Sequence, residues 1–277
     1  MLKTEMRNEK SLHIDTMDTA SMVALINEEN RCAVEAVAAE SAAIAEAIDK
    51  ISDLLGKGGR LFYIGAGTSG RIGVMDAAEC PPTFGVEKDR VVAIIAGGEK
   101  CLSSAAENSE DDGAAGESDL AAHGAAAGDA VVGISAAGGA EYVVRALEYA
   151  RRIGAFTVAL TSNAGSPVTQ AADISICPDT GAEVVTGSTR MKAGTAQKLI
   201  LNTISTCAMI KCGYVYENLM INLRPQNRKL RDRMCGIVSD ITGWTKECAE
   251  TALEENGWDI RRTVTGNEKK TEENAHA

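Results

Sequence analysis

The sequence predicts an α/β domain with a doubly wound, five-stranded parallel sheet, an N-terminal helical arm and a small C-terminal helical region. Short runs of branched and aromatic residues (61–64, 91–96, 131–135, 156–161 and 174–177) alternate with stretches of helical composition, the pattern of a parallel sheet covered on both faces. The first and third runs also end in glycine-rich turns at the same topological position, beyond the carboxyl ends of the strands, where such sheets bind ligands. A chain of 277 residues suffices for one large domain with small appendages and a substantial core.

The arm covers residues 1–55. A short helix is expected over Asp15–Asn30, with Asp and Thr as capping candidates and Met22, Val23 and Ile26 at helical spacing. A longer helix from Cys32 to Gly56 places Val34, Val37, Ile44, Ile48, Ile51 and Leu55 on one stripe. Such an arm often packs on a partner, which points to a homodimer. Gly58-Gly59 leads into the sheet domain, residues 56–224. Residues 225–277 read as small helices anchored by Ile237, Ile241, Trp244, Ala249, Leu253 and Trp258, ending in a tail, Glu268–Ala277, of disorder-prone composition.

The first strand, Leu61–Ile64, runs into Gly65-Ala-Gly-Thr-Ser-Gly70, where glycines allow close backbone approach and Thr68 and Ser69 offer hydroxyls beside the unpaired amides of the next helix. That is a phosphate cradle by chemistry. The spacing also matches G-x-G-x-x-G of dinucleotide sites, but the next strand ends in Ala96-Gly97-Gly98 rather than an acid for a ribose; a turn with no ligand is the third reading. Pro81-Pro82 is expected to end the following helix and to leave Glu79 at the break, solvent-facing on local sequence alone. Glu107-Asn-Ser-Glu110-Asp111-Asp112 is an acidic run of the kind usually solvated, and Ser135-Ala-Ala-Gly-Gly-Ala140 is a second glycine turn with few side-chain donors. In GAEVVTGSTRMKAGTAQKL (181–199), Thr186, Ser188 and Thr189 precede a helix carrying Arg190, Lys192 and Lys198: either a second anion-binding helix start or ordinary capping with solvated cations.

A net charge of −11 argues against a nucleic-acid partner, and any anion must be held by local dipoles or single cations. Eight cysteines without a C-x-x-C pair or nearby histidines suggest reduced core thiols and no metal site. With a charged N-terminus and no run long enough to span a bilayer, a cytoplasmic protein without membrane contact is expected.

Taken together, GRLFYIGAGTSGRIGVMDAAECPPTFGV, the ENSEDD segment and GAEVVTGSTRMKAGTAQKL resemble the N-acetylmuramic acid 6-phosphate etherases of the sugar isomerase (SIS) domain superfamily, over nearly the whole chain. SLHIDTMDTASMVALINEEN and GYVYENLMINL also look like that family, and the tail resembles its ubiquitin-associated-like helical domain. The resemblance implies an αβα sandwich and a lyase that removes D-lactate from carbon 3 of its substrate and adds water, without a cofactor. It gives Glu79 as proton donor to lactate and Glu110 as base toward carbon 2, with Thr68, Ser69, Ser188 and Thr189 suited to the phosphate or sugar hydroxyls; the residues themselves add Ser135, the nearest hydroxyl of the third-strand turn, and Arg190, beside the Ser188-Thr189 hydroxyls, as candidate ligands. One departure stands out. Where the family usually carries Ser-Gly-Arg-Thr after the third strand, this chain has Ala137-Gly138-Gly139-Ala140 followed by Glu141, and lacks two hydroxyls and a cation. That depletion motivates a rival reading, a non-catalytic sugar-phosphate-binding regulator; a sugar-phosphate isomerase is the third.

Overall fold

A computed structural model describes residues 2–104, 108–225 and 227–265. Glu107 of the acidic run and the tail Glu268–Ala277 lie outside the described residues. The described chain divides into two compact units, residues 1–78 with 88–208, and residues 79–87 with 209–277.

In the first unit, short 3-10 turns at Lys3–Glu5, Glu9–Ser11 and Ile14–Thr16 lead to helices α1 (Thr19–Ala39) and α2 (Ser41–Gly56). The break between them falls at Glu40, not near Cys32 as the sequence suggested. The first helix runs past Cys32 because Ala33 and Ala36 form its buried side, whereas Val34 of the predicted stripe is exposed. Ile44, Ile48, Ile51 and Leu55 of α2 are buried as expected.

The sheet follows: β1 (Leu61–Gly65), α3 (Gly67–Phe84), β2 (Val91–Ile95), α4 (Gly113–Ala122), β3 (Ala130–Ile134), α5 (Glu141–Arg152), β4 (Phe156–Leu160), the single turn α6 (Pro167–Gln170), β5 (Ile174–Ile176) and α7 (Lys192–Lys211). The strands lie in the order β2-β1-β3-β4-β5 and every pairing is parallel. Alternation within β1 divides the faces: Phe62 and Ile64 join a buried cluster with Leu120 of α4 and Tyr142, Val143 and Leu147 of α5. Tyr63 points the other way and donates to Asp76 of α3 (2.9 Å), whose second oxygen accepts from Ser205 of α7 (3.2 Å). The reversal of strand order between β1 and β3 opens a crevice at their carboxyl ends, so the two glycine turns that follow them flank one space.

Pro81-Pro82 does not end α3, which continues to Phe84 with both prolines inside it. Proline removes an amide donor but its fixed φ suits a helix, and with Phe84 the final residue only the carbonyls of the preceding turn lose partners. Glu79 is therefore helical and exposed.

The second unit contains a hairpin, β6 (Val215–Tyr216) and β7 (Leu219–Met220), that the sequence reading did not anticipate. It also holds α8 (Arg228–Thr242), α9 (Lys246–Glu255) and a helical turn from Ile260. Its own core joins Ile237, Ala249 and Leu253 with Met234, Val238 and Ile260, and Ile241, Trp244 and Trp258 pack against it. Among the eight cysteines, Cys80, Cys101 and Cys235 are buried but Cys248 is exposed, so they are not uniformly core thiols. No described helix is long and apolar enough to cross a membrane.

Candidate active site

A cavity of about 330 Å³ opens at the carboxyl ends of β1 and β3, within the first unit. Its lining brings together Thr68, Ser69, Glu110, Ser135 and Thr189, with Asp111, Gly187 and Glu5.

The glycines of the first turn serve distinct ends. A Cβ on Gly65 would lie 2.8 Å from the Gly70 nitrogen, and one on Gly70 would lie 2.6 Å from the Gly65 oxygen, so these two let strand and helix approach closely. Gly67 instead has φ +53° with open space around it. This turn presents buried Ser69 and half-buried Thr68 together with the first amides of an 18-residue helix, a site of positive potential.

Across the crevice, the Gly138 amide donates to Ser135 Oγ (3.1 Å), which leaves the hydroxyl hydrogen of Ser135 to donate elsewhere. Gly138 is held at φ +80°, where a Cβ would meet Ser166 Oγ at 2.1 Å. Ala137, Gly139 and Ala140 complete this wall with backbone and methyl groups only.

Glu110 sits in a turn in which Asn108 adopts φ +66° and the Asp111 amide donates to the Asn108 carbonyl (3.2 Å). Two helices secure that turn: Asp112 caps α4 through the Ala115 amide (2.9 Å), and the Tyr142 amide of α5 donates to the Glu110 carbonyl (3.0 Å). The two helices pack so closely that a Cβ on Gly116 would fall 2.0 Å from the Tyr142 carbonyl oxygen. Tyr142 Oη donates to Asp119 (2.6 Å), and burial first, then this carboxylate, push its pKa far above the ordinary value.

The segment 181–199 is built differently from either sequence reading. Helix α7 starts at Lys192, and the amides of Lys192 and Ala193 donate to the wholly buried carboxylate of Glu183 (3.0 and 2.9 Å). The anion at this helix start is the protein's own, so it is neither a free anion site nor capped by Ser188 or Thr189. Lys192 is not solvated: its Nζ pairs with Glu29 Oε2 at 2.6 Å, both side chains 4% exposed or less. Thr189 reaches the cavity, whereas half-buried Ser188 and exposed Arg190 are not among its described lining. Nor is Glu79, which belongs to the second unit. Glu5 was missed because its only signal, the TEMRN stretch, is local polar sequence; folding carries it to the site from about 180 residues away in sequence from Gly187 and Thr189.

No lysine or arginine is among the described lining residues, so an anion here would rest on hydroxyls, amides and a helix start. Residues 43–151 match the glucokinase regulatory protein N-terminal SIS domain, and residues 113–206 match the SIS domain. An N-acetylmuramic acid 6-phosphate etherase of Jannaschia sp. (strain CCS1) is 49% identical, with 95% of this chain and 83% of that protein aligned. The chain belongs to the N-acetylmuramic acid 6-phosphate etherase family. A member from Cronobacter sakazakii is 48% identical over 95% of this chain and 89% of its own length. The α/β fold also matches a phosphoheptose isomerase from Francisella tularensis (TM-score 0.52, 20% identity, 69% of this chain and 98% of that one). At that identity the likeness is one of fold.

Proposed function

We propose that this chain is a carbon–oxygen lyase that cleaves the D-lactyl ether of N-acetylmuramic acid 6-phosphate to N-acetylglucosamine 6-phosphate and D-lactate. The observation that carries the reading is family membership over nearly the whole chain, supported by a cavity lined by both Glu110 and a hydroxyl-rich helix start.

In this reading Thr68, Ser69 and Ser135, with the first amides of α3, hold the phosphate, and Thr189 meets a sugar hydroxyl. The open-chain aldehyde acidifies the hydrogen on carbon 2, Glu110 takes that proton, and the electron pair expels the lactate oxygen from carbon 3 as Glu79 protonates it. Water then adds to the resulting double bond at carbon 3, and the proton returns to carbon 2. No cofactor enters these steps.

The enzyme acts as a cytoplasmic homodimer. Exposed Val23 and Val34 on α1 support a partner-facing arm. Because α3 is unbroken from Gly67 to Phe84, Ser69 and Glu79 stand about 15 Å apart along its axis, more than one hexose phosphate spans. Glu79 of one copy therefore completes the cavity of the other. Mixing Ser69→Ala and Glu79→Gln subunits checks this: mixed dimers regain activity, and their failure to do so would return both groups to one subunit.

The decisive experiment incubates the purified protein with N-acetylmuramic acid 6-phosphate and measures D-lactate. Binding without lactate release would replace the lyase reading by a regulator, and product without lactate would indicate an isomerase.

A further inference from the structure

The N-terminal strap, residues 3–11, is fastened on both sides of Glu5. On one side the Lys3 amide donates to Asn163 Oδ1 (2.9 Å), and Asn163 Nδ2 donates to the wholly buried Thr4 hydroxyl (3.1 Å). On the other, Asn8 Nδ2 donates to Glu29 Oε2 (2.7 Å) and to the Ala182 carbonyl (3.2 Å), and Ser11 Oγ donates to the Val184 carbonyl (2.8 Å). Between these anchors the Glu5 carboxylate lines the cavity and has no hydrogen-bond or ion-pair partner among the described residues. It lies over Gly187, where a Cβ would approach Glu5 Oε2 to 3.2 Å.

A free carboxylate repels phosphate, so it must face the other end of any sugar phosphate seated on the α3 turn. What a carboxylate holds well is a donor: a sugar hydroxyl or an amide N–H. Amides and hydroxyls line the cavity at 66–69 and 135–140, Glu110 and Asp111 add carboxylates, and Glu5 lies against Gly187.

We infer that Glu5 is a specificity-determining binding residue whose carboxylate accepts hydrogen bonds from the hydroxyl or amide donors at the unphosphorylated end of an amino-sugar phosphate. This rests on the function proposed above and extends it to a residue of the strap.

The test compares wild type, Glu5→Gln and Glu5→Ala in D-lactate release and in calorimetric binding of N-acetylglucosamine 6-phosphate and of inorganic phosphate. Glu5→Ala is expected to weaken amino-sugar phosphate binding about ten- to hundredfold, the worth of a hydrogen bond to a charged group, and to raise KM in proportion. Inorganic phosphate should bind equally well or more tightly, since a repelling charge is gone. Melting temperature should not move, because an exposed, unpartnered side chain contributes little to stability. A wild type that releases lactate while both variants keep wild-type binding overturns this inference alone. Equal weakening of sugar phosphate and inorganic phosphate overturns it too, because Glu5 would then act through the phosphate turn. A wild type that neither binds the amino-sugar phosphate nor releases lactate overturns the functional reading itself.

Discussion

Replacing Glu29 by glutamine would remove the charge partner that buried Lys192 has among the described residues and leave an ammonium group 3% exposed. Breaking one side of a buried pair costs about 3–5 kcal/mol, because the remaining charge stays desolvated. For a chain of this size each kcal/mol moves Tm by roughly 2–4 °C, so Glu29→Gln should lower Tm by about 6–20 °C at neutral pH. Removing both charges with Glu29→Met and Lys192→Met should recover most of that loss, since a well-packed apolar pair of similar volume is near neutral. The dependence on pH has a defined sign. Burial acts to raise the Glu29 pKa, but Lys192, Lys10 and Asn8 together outweigh it and hold the carboxyl below its ordinary 4.5. A carboxyl depressed on folding stabilises fully above its unfolded value and loses that contribution as pH falls through the lower folded value. The gap between wild type and Glu29→Gln should therefore be widest above pH 4.5 and close in more acid solution. Thermal unfolding of the three proteins across that range is the assay. A single-variant cost below about 1 kcal/mol at neutral pH, the range of exposed pairs, would refute the reasoning by showing that Lys192 finds solvent.

Glu110→Gln should cut D-lactate release by about a hundredfold or more while N-acetylglucosamine 6-phosphate binding persists, as loss of a general base does. Gly116→Ala drives a Cβ to within 2.0 Å of the Tyr142 carbonyl and should part α4 from α5, lowering Tm and, through the Glu110 turn, kcat. Ala137→Ser with Ala140→Thr supplies two hydroxyl donors to the bare wall of the cavity and should raise kcat/KM chiefly through KM; unchanged binding would mean the phosphate rests on the α3 turn alone.

Sequence alone determined the sheet. Runs such as Leu61–Ile64 have one stable solution in an alternating α/β chain, a parallel strand buried on both faces, and all five strands lie within a residue or two of expectation. Motif resemblance likewise reached the family and the cavity residues Thr68, Ser69, Glu110, Ser135 and Thr189, because each follows or faces a strand end. Tertiary structure decided what local signals leave degenerate. Pro81-Pro82 reads as a helix end by propensity, yet the helix continues to Phe84. Lys192 reads as a solvated cation, and only the fold reveals that Glu29, 163 residues away, buries and neutralises it. Glu5 has no periodicity or spacing to mark it, because its place depends on bonds from Lys3, Thr4, Asn8 and Ser11 to residues far along the chain. Periodicity encodes which face of an element is apolar; which charges meet inside is set by long-range packing, and that is a property of the whole chain.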